Sequence, residues 1–165
     1  MGYVLDKLRV LVVEPNSYIR DLLRTILQSV DSATIDLTGD GEVGFARYCQ
    51  HEYDVVFTDS EAAPISGLGL VDLIRKSPES PNPYVPIVML SAHSDEERVK
   101  LARDHGATEF IAKPFSADCV LTHLEEVIEN PRSFVRAASY FGPDRRRTTA
   151  CARRGRPVPR RCRPW

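Results

Sequence analysis

The chain predicts an α/β fold, a doubly wound parallel sheet with helices on both faces, and three observations carry that expectation. Short apolar runs alternate five times with helix-period stretches, the pattern of parallel strands joined by crossover helices. The runs are apolar at consecutive positions, as in strands buried on both sides. Four of them end on a residue able to do chemistry: Val10 to Val13 lead into Glu14, Val55 to Thr58 into Asp59, Ile87 to Leu90 into Ser91, and Phe110 to Ala112 into Lys113. Parallel strands bring their carboxyl ends to one edge, and open α/β sheets bind and react at that edge.

The first strand is expected near Arg9 to Val13. A helix follows in which Ile19, Leu22, Leu23, Ile26 and Leu27 make one apolar stripe, with Asn16 or Ser17 as its N-cap. Thr34 to Leu37 make the second strand, and Gly39, Asp40 and Gly41 turn the chain into a helix that ends near Gln50. Gly44 weakens that helix, since glycine costs about 1 kcal/mol relative to alanine. Val55 to Thr58 give the third strand, and a helix runs from about Gly67 to Lys76. The four prolines between Ser77 and Pro86 require a connector. After Ile87 to Leu90, the run Ser94-Asp95-Glu96-Glu97 fits a capping box opening a charged helix, loosely held and stopped at Gly106. Thr108 to Ala112 form the last strand, and a helix from about Ala117 to Glu129 stops at Asn130-Pro131.

Composition bounds the answer further. The 165 residues are 42% hydrophobic and 27% charged, values of a globular chain with one domain of roughly 130 residues and an appendage. No apolar stretch reaches membrane-spanning length and the N-terminus lacks a secretory pattern, so a cytoplasmic location is expected. Cys49, Cys119, Cys151 and Cys162 lack the spacing of a zinc site or a disulfide framework. A net charge of −1 conceals two materials: residues 143–165 hold nine arginines and one aspartate, while residues 1–142 carry a net charge of −9. No glycine-rich dinucleotide or P-loop signature follows the first strand, where Glu14-Pro15-Asn16-Ser17 stand instead.

Two carboxylates, a hydroxyl and an ammonium at one sheet edge suit a phosphoryl group. A carboxylate can attack phosphorus when it is exposed, aligned and neutralised, and Asp59 is the candidate acceptor. Lys113 can neutralise phosphoryl oxygens, and Ser91 offers a hydroxyl donor. Glu14 and Asp59 can hold magnesium, which binds through one or two carboxylates, phosphate oxygen and water. Taken singly, Asp59 and Ser91 also read as caps, Lys113 as a solvated cation, and Glu14 as a helix N-terminal acid. The convergence of four strand ends favours the site.

Leu11-Val12-Val13-Glu14, Val55-Val56-Phe57-Thr58-Asp59, Gly67 eight residues after Asp59, Met89-Leu90-Ser91-Ala92 and Lys113-Pro114-Phe115 together resemble the receiver domain of two-component response regulators, over about residues 8 to 130. The chain is similar to the single-domain chemotaxis regulators of that family. The resemblance implies a flavodoxin-like (βα)5 fold with strand order 2-1-3-4-5, and phosphotransfer to Asp59 from a histidine kinase or phosphotransfer protein, with Mg²⁺ as cofactor. It makes Ser91 the hydroxyl that moves toward the phosphoryl group, Lys113 the active-site lysine, and Phe110 the aromatic that rotates inward. It also implies a cis Lys113-Pro114 bond, an output face of helix 4, strand 5 and helix 5, and a signalling domain rather than an enzyme in its own right.

Two positions depart from the family. Its first strand usually ends in two acids, the second contacting Mg²⁺, and here the second is Pro15. Glu61, at a position whose backbone carbonyl ligates the ion in the family, is expected to offer its side chain in compensation. The alternative to a phosphorylated switch is a pseudo-receiver that binds a partner constitutively. Residues 1–130 are thus the expected receiver domain. Residues 131–165 are an extension with too few apolar residues to fold alone, expected to be largely flexible and to fold back on the acidic domain. Its stretch from Asn130 to Arg147 is similar to an extension on some alphaproteobacterial regulators. Nucleic acid and membrane are not expected partners, and the chain is expected to be a monomer or weak homodimer.

Overall fold

The computed structural model describes residues 7–30 and 33–146. Five parallel strands, β1 (Arg9–Val13), β2 (Thr34–Thr38), β3 (Val55–Asp59), β4 (Ile87–Ser91) and β5 (Glu109–Ala112), lie in the order β2-β1-β3-β4-β5. Between and after them run α1 (Ser17–Gln28), α2 (Gly41–Gln50), α3 (Gly67–Lys76), α4 (Glu96–His105) and α5 (Ala117–Glu129). Order and architecture match the expected flavodoxin-like fold. Among the described residues no helix is long and apolar enough to cross a membrane.

The strand pleat divides the core in two. Val10, Val12, Phe57, Val88 and Leu90 pack with Leu23 and Leu27 of α1 and Val120, Leu124 and Val127 of α5. Leu11, Val13, Val56, Ile87 and Met89 face the other way, onto Tyr48 of α2, Leu70, Val71 and Ile74 of α3 and Ala102 of α4. Every residue of β3 and β4 is buried, which is why those runs carry no polar alternation. Their terminal side chains have only the carboxyl edge from which to reach solvent.

Local signals explain most element ends. Asn16 Oδ1 caps α1 by accepting from the amides of Tyr18 and Ile19, and Asp40 caps α2 in the same way. Gly44, the apparent weakness of α2, is a contact requirement: a Cβ there would stand 2.6 Å from Val13 Cγ2. The start of α4 differs from expectation. Asp95 is its N-cap, accepting from Arg98 N at 3.0 Å, because its carboxylate meets that amide one residue later than Ser94 would. Gly106 ends α4 at φ 107°, and Ala102 is the only buried residue of the helix.

The extension folds back on the acidic domain as expected, but up to Arg146 it does so as an ordered hairpin rather than a flexible tail. Phe134–Ala137 (β6) and Tyr140–Pro143 (β7) form an antiparallel hairpin against the ends of α3 and α4. The hairpin packs on the domain's own surface. Tyr84 sets its ring edge-on to Phe134 and Phe141, with centroids 5.1 and 5.5 Å away. Gly142 approaches so closely that an added Cβ would lie 2.9 Å from Gly106 Cα. Arg132 and Arg145 reach Glu109 and Asp104 at 2.5 and 3.1 Å. Residues 147–165 lie outside the described residues.

Candidate functional site

β1, β3, β4 and the residue after β5 deliver Glu14, Asp59, Ser91 and Lys113 to the same edge of the sheet. Lys113 Nζ donates to Glu14 Oε2 at 2.7 Å and to Asp59 Oδ2 in a shorter bond, so one ammonium bridges both carboxylates. Glu14 and Asp59 are 1% and 5% exposed, which makes this bridge a partly desolvated ion cluster rather than a surface pair. Burial pulls the Lys113 pKa down, but hydrogen bonds and charge attraction from Asp59 and Glu14 outweigh it, and the net shift is upward. Lys113 is therefore a firm cation at neutral pH.

The remaining lone pairs are positioned by backbone. Asp59 Oδ1 accepts from the Glu61 amide at 2.7 Å, and Glu14 Oε1 from the Asn16 amide at 3.0 Å. Gly67 lies against the Asp59 carbonyl with no room for a Cβ, which fixes the loop from Ser60 to Ser66 beneath the acceptor. Ala63-Pro64 and Lys113-Pro114 are both cis, the second as the resemblance implied. Arg20 donates to the carbonyls of Glu14 and Pro15 at 2.7 and 3.0 Å, holding the turn in which Pro15 replaces an acid.

Ser91 is 1% exposed, and its Oγ accepts from Ser60 Oγ at 2.9 Å and from the His93 amide at 3.1 Å. Phe110 is 6% exposed, already inside the core on the side of α2, α3 and α4.

Glu61 does not turn toward the two acids. Its side chain is 62% exposed, and its carboxylate lies 3.3 Å from His93 Nε2, across the mouth of the site. The backbone amide of Glu61 is already committed to Asp59, which directs the side chain outward. Among the described residues, no group of three or more His, Cys, Asp or Glu is arranged to hold a metal ion. Glu14 and Asp59 supply two carboxylates, which is within what magnesium needs when phosphate oxygen and water complete its shell.

Ser60 and His93 were not singled out in the sequence. Each flanks a strand end by one or two residues, and that adjacency was the available signal. The cluster of Glu109, His123 and Arg132 was also missed, because its members lie in β5, in α5 and in the loop after α5.

A five-stranded flavodoxin-like sheet that gathers two acids, a hydroxyl and a lysine at its carboxyl edge is the architecture of a signalling receiver. The response regulator receiver domain matches residues 10–125, and the chain belongs to that family. It is 27% identical over 124 residues to a probable chemotaxis protein CheY of Rhizobium etli, covering 75% of this chain and 95% of that protein. It is 29% identical over 127 residues to the transcriptional regulatory protein RprY of Bacteroides fragilis, of which it spans about half the length, 52%. The crystallised chemotaxis protein CheY4 of Vibrio cholerae superposes with a TM-score of 0.67 at 25% identity, over 73% of this chain and 98% of that one. The receiver domain of the sensor histidine kinase PA1611 from Pseudomonas aeruginosa, 22% identical, shares the fold with a TM-score of 0.68 over 75% and 98% of the two chains. That structure has a magnesium ion coordinated in its active site cleft.

Proposed function

We propose that the protein accepts a phosphoryl group on Asp59 from a phosphohistidine of a histidine kinase or phosphotransfer protein, and that the transfer switches a partner-binding face formed by α4, β5 and α5. The observation that carries this reading is the Lys113 ammonium shared by Asp59 and Glu14 at the carboxyl edge. In the transfer an Asp59 carboxylate oxygen attacks phosphorus, the phosphorus–nitrogen bond breaks, and the imidazole leaves with its electron pair. Lys113 exchanges its bond to Asp59 for one to a phosphoryl oxygen, so the developing charge meets a cation already in place. The Ser91 hydroxyl, now bonded to Ser60, is the donor nearest in kind for another phosphoryl oxygen.

Glu14 and Asp59 would hold Mg²⁺, which when bound neutralises charge on the phosphoryl oxygens. Glu61 is left out of that ligand set by its orientation toward His93. Acetyl phosphate with Mg²⁺, read by intact mass, tests the reading: one phosphoryl adduct is expected on the wild type and none on Asp59→Asn. Pro15 favours a second reading, a constitutive pseudo-receiver, because it removes a carboxylate and an amide from the edge. Absence of an adduct at millimolar donor would select that second reading.

A further inference from the structure

The end of α3 and the turn of the β6–β7 hairpin border an open cleft of about 390 Å³, lined by Arg75, Lys76 and residues 136–141. Three lining side chains, Arg75, Lys76 and Arg136, are cations, and none is an acid. Arg75 is 4% exposed. Its Nε donates to Gly106 O at 3.0 Å, its Nη1 to Pro83 O at 2.7 Å, and its guanidinium lies 5.0 Å from the centre of the Phe134 ring. Its Nη2 is buried without a hydrogen-bond partner. Arg136 lies over Phe141 at 4.8 Å and makes no ion pair among the described residues. Lys76 holds Asp72 at 2.6 Å, and the other oxygen of that carboxylate is engaged by His105 at 2.8 Å.

A desolvated guanidinium with no counter-charge is costly, and an anion beside it recovers much of that cost. Burial accordingly draws the Arg75 pKa down, and the hydroxyls of Tyr48 and Tyr140 only partly oppose it. We propose that this cleft binds a small phosphate-bearing anion. With Lys76 paired to Asp72, Arg75 and Arg136 are the lining cations left without an ion pair among the described residues, and a phosphate brings up to two charges and several acceptor oxygens that match the guanidinium fork. The volume lies within the usual range for small-molecule sites. The site lies at the C-terminal end of α3, and Asp59, at the end of β3, is not among its lining residues.

Amide NMR titration of the full chain tests it, with inorganic phosphate, pyrophosphate and AMP as probes and chloride at matched ionic strength as control. Saturable shifts are expected at the amides from Arg136 to Tyr140, stronger for pyrophosphate than for phosphate and unchanged by Asp59→Asn. Arg136→Glu, at an exposed position, should weaken binding at least about tenfold while leaving the other amides in place. A gain of AMP over phosphate supports the proposal and assigns a nucleoside phosphate; equal binding supports it and assigns the phosphate group alone. No saturation by about 10 mM pyrophosphate, equal binding by Arg136→Glu, or shifts confined to the Lys113 edge or to residues 147–165 would each overturn it.

Discussion

Arg132 Nη2 stands 2.5 Å from Glu109 Oε1, joining the first residue after the α5 stop to the first residue of β5. Glu109 is 1% exposed, and its second oxygen lies 3.5 Å from His123 Nδ1. The extension therefore supplies the counter-charge for an acid inside the domain. Removing one partner of a buried pair strands the other charge, at a cost of about 3–5 kcal/mol. Arg132→Ala should lower stability by that order in urea denaturation, and Glu109→Gln in the same chain should restore most of it. A neutral Arg132→Ala would mean that His123 alone suffices.

Lys113 should matter more to rate than to binding. Loss of a positioned charge donor typically slows a reaction by about 100- to 1000-fold. Lys113→Ala should slow phosphorylation by acetyl phosphate within that range, whereas Asp59→Asn should abolish the adduct. Stopped-flow fluorescence or timed intact mass reads both.

The pH dependence of the cluster follows from the sign of the Lys113 shift. Its folded pKa is raised, so its contribution is complete below the ordinary lysine value and is lost only as pH rises through the higher folded value. The stability difference between wild type and Lys113→Met should thus stay constant between about pH 6 and 9 and shrink above about pH 10.4. A difference that already falls between pH 6 and 9 would contradict the cluster's geometry.

Pro15→Asp should tighten Mg²⁺ binding, measured by calorimetry, because it adds a carboxylate next to Glu14 where magnesium uses one or two. Phosphorylation should accelerate with it. Unchanged affinity would show that Glu14 and Asp59 already suffice.

Gly44→Ala tests helix propensity against packing. Propensity favours alanine by about 1 kcal/mol, yet the new Cβ would sit 2.6 Å from Val13 Cγ2. Overpacking typically costs about 1–3 kcal/mol, so a lower melting temperature is expected.

The sheet and the four edge residues were legible because each rests on a local pattern: an apolar run of strand length and the residue that ends it. Asn16 and Gly106 were legible for the same reason, as caps read from their immediate neighbours. The hairpin was not. Phe134, Val135 and Phe141 are too few to form a core, and what holds the hairpin is Tyr84 and Arg75 far back in the chain, with Glu109 gripping Arg132 across 23 positions. The outward turn of Glu61 was equally hidden, since it depends on an amide bond to Asp59 and on His93 across the loop. Gly44 misled for a related reason, because propensity scales do not contain the strand a helix lies on.

The grip on α4 is uneven. Along its length one residue, Ala102, is buried, whereas its far end is fastened by Gly106 against Gly142 and by Asp104 to Arg145. Such a helix is hung like a door, with the jamb at the tail side and the free stile at Glu96, five residues beyond Ser91. Small rearrangements at the sheet edge would swing the near end through the largest arc, and shortening the chain before residue 132 would take the hinge away.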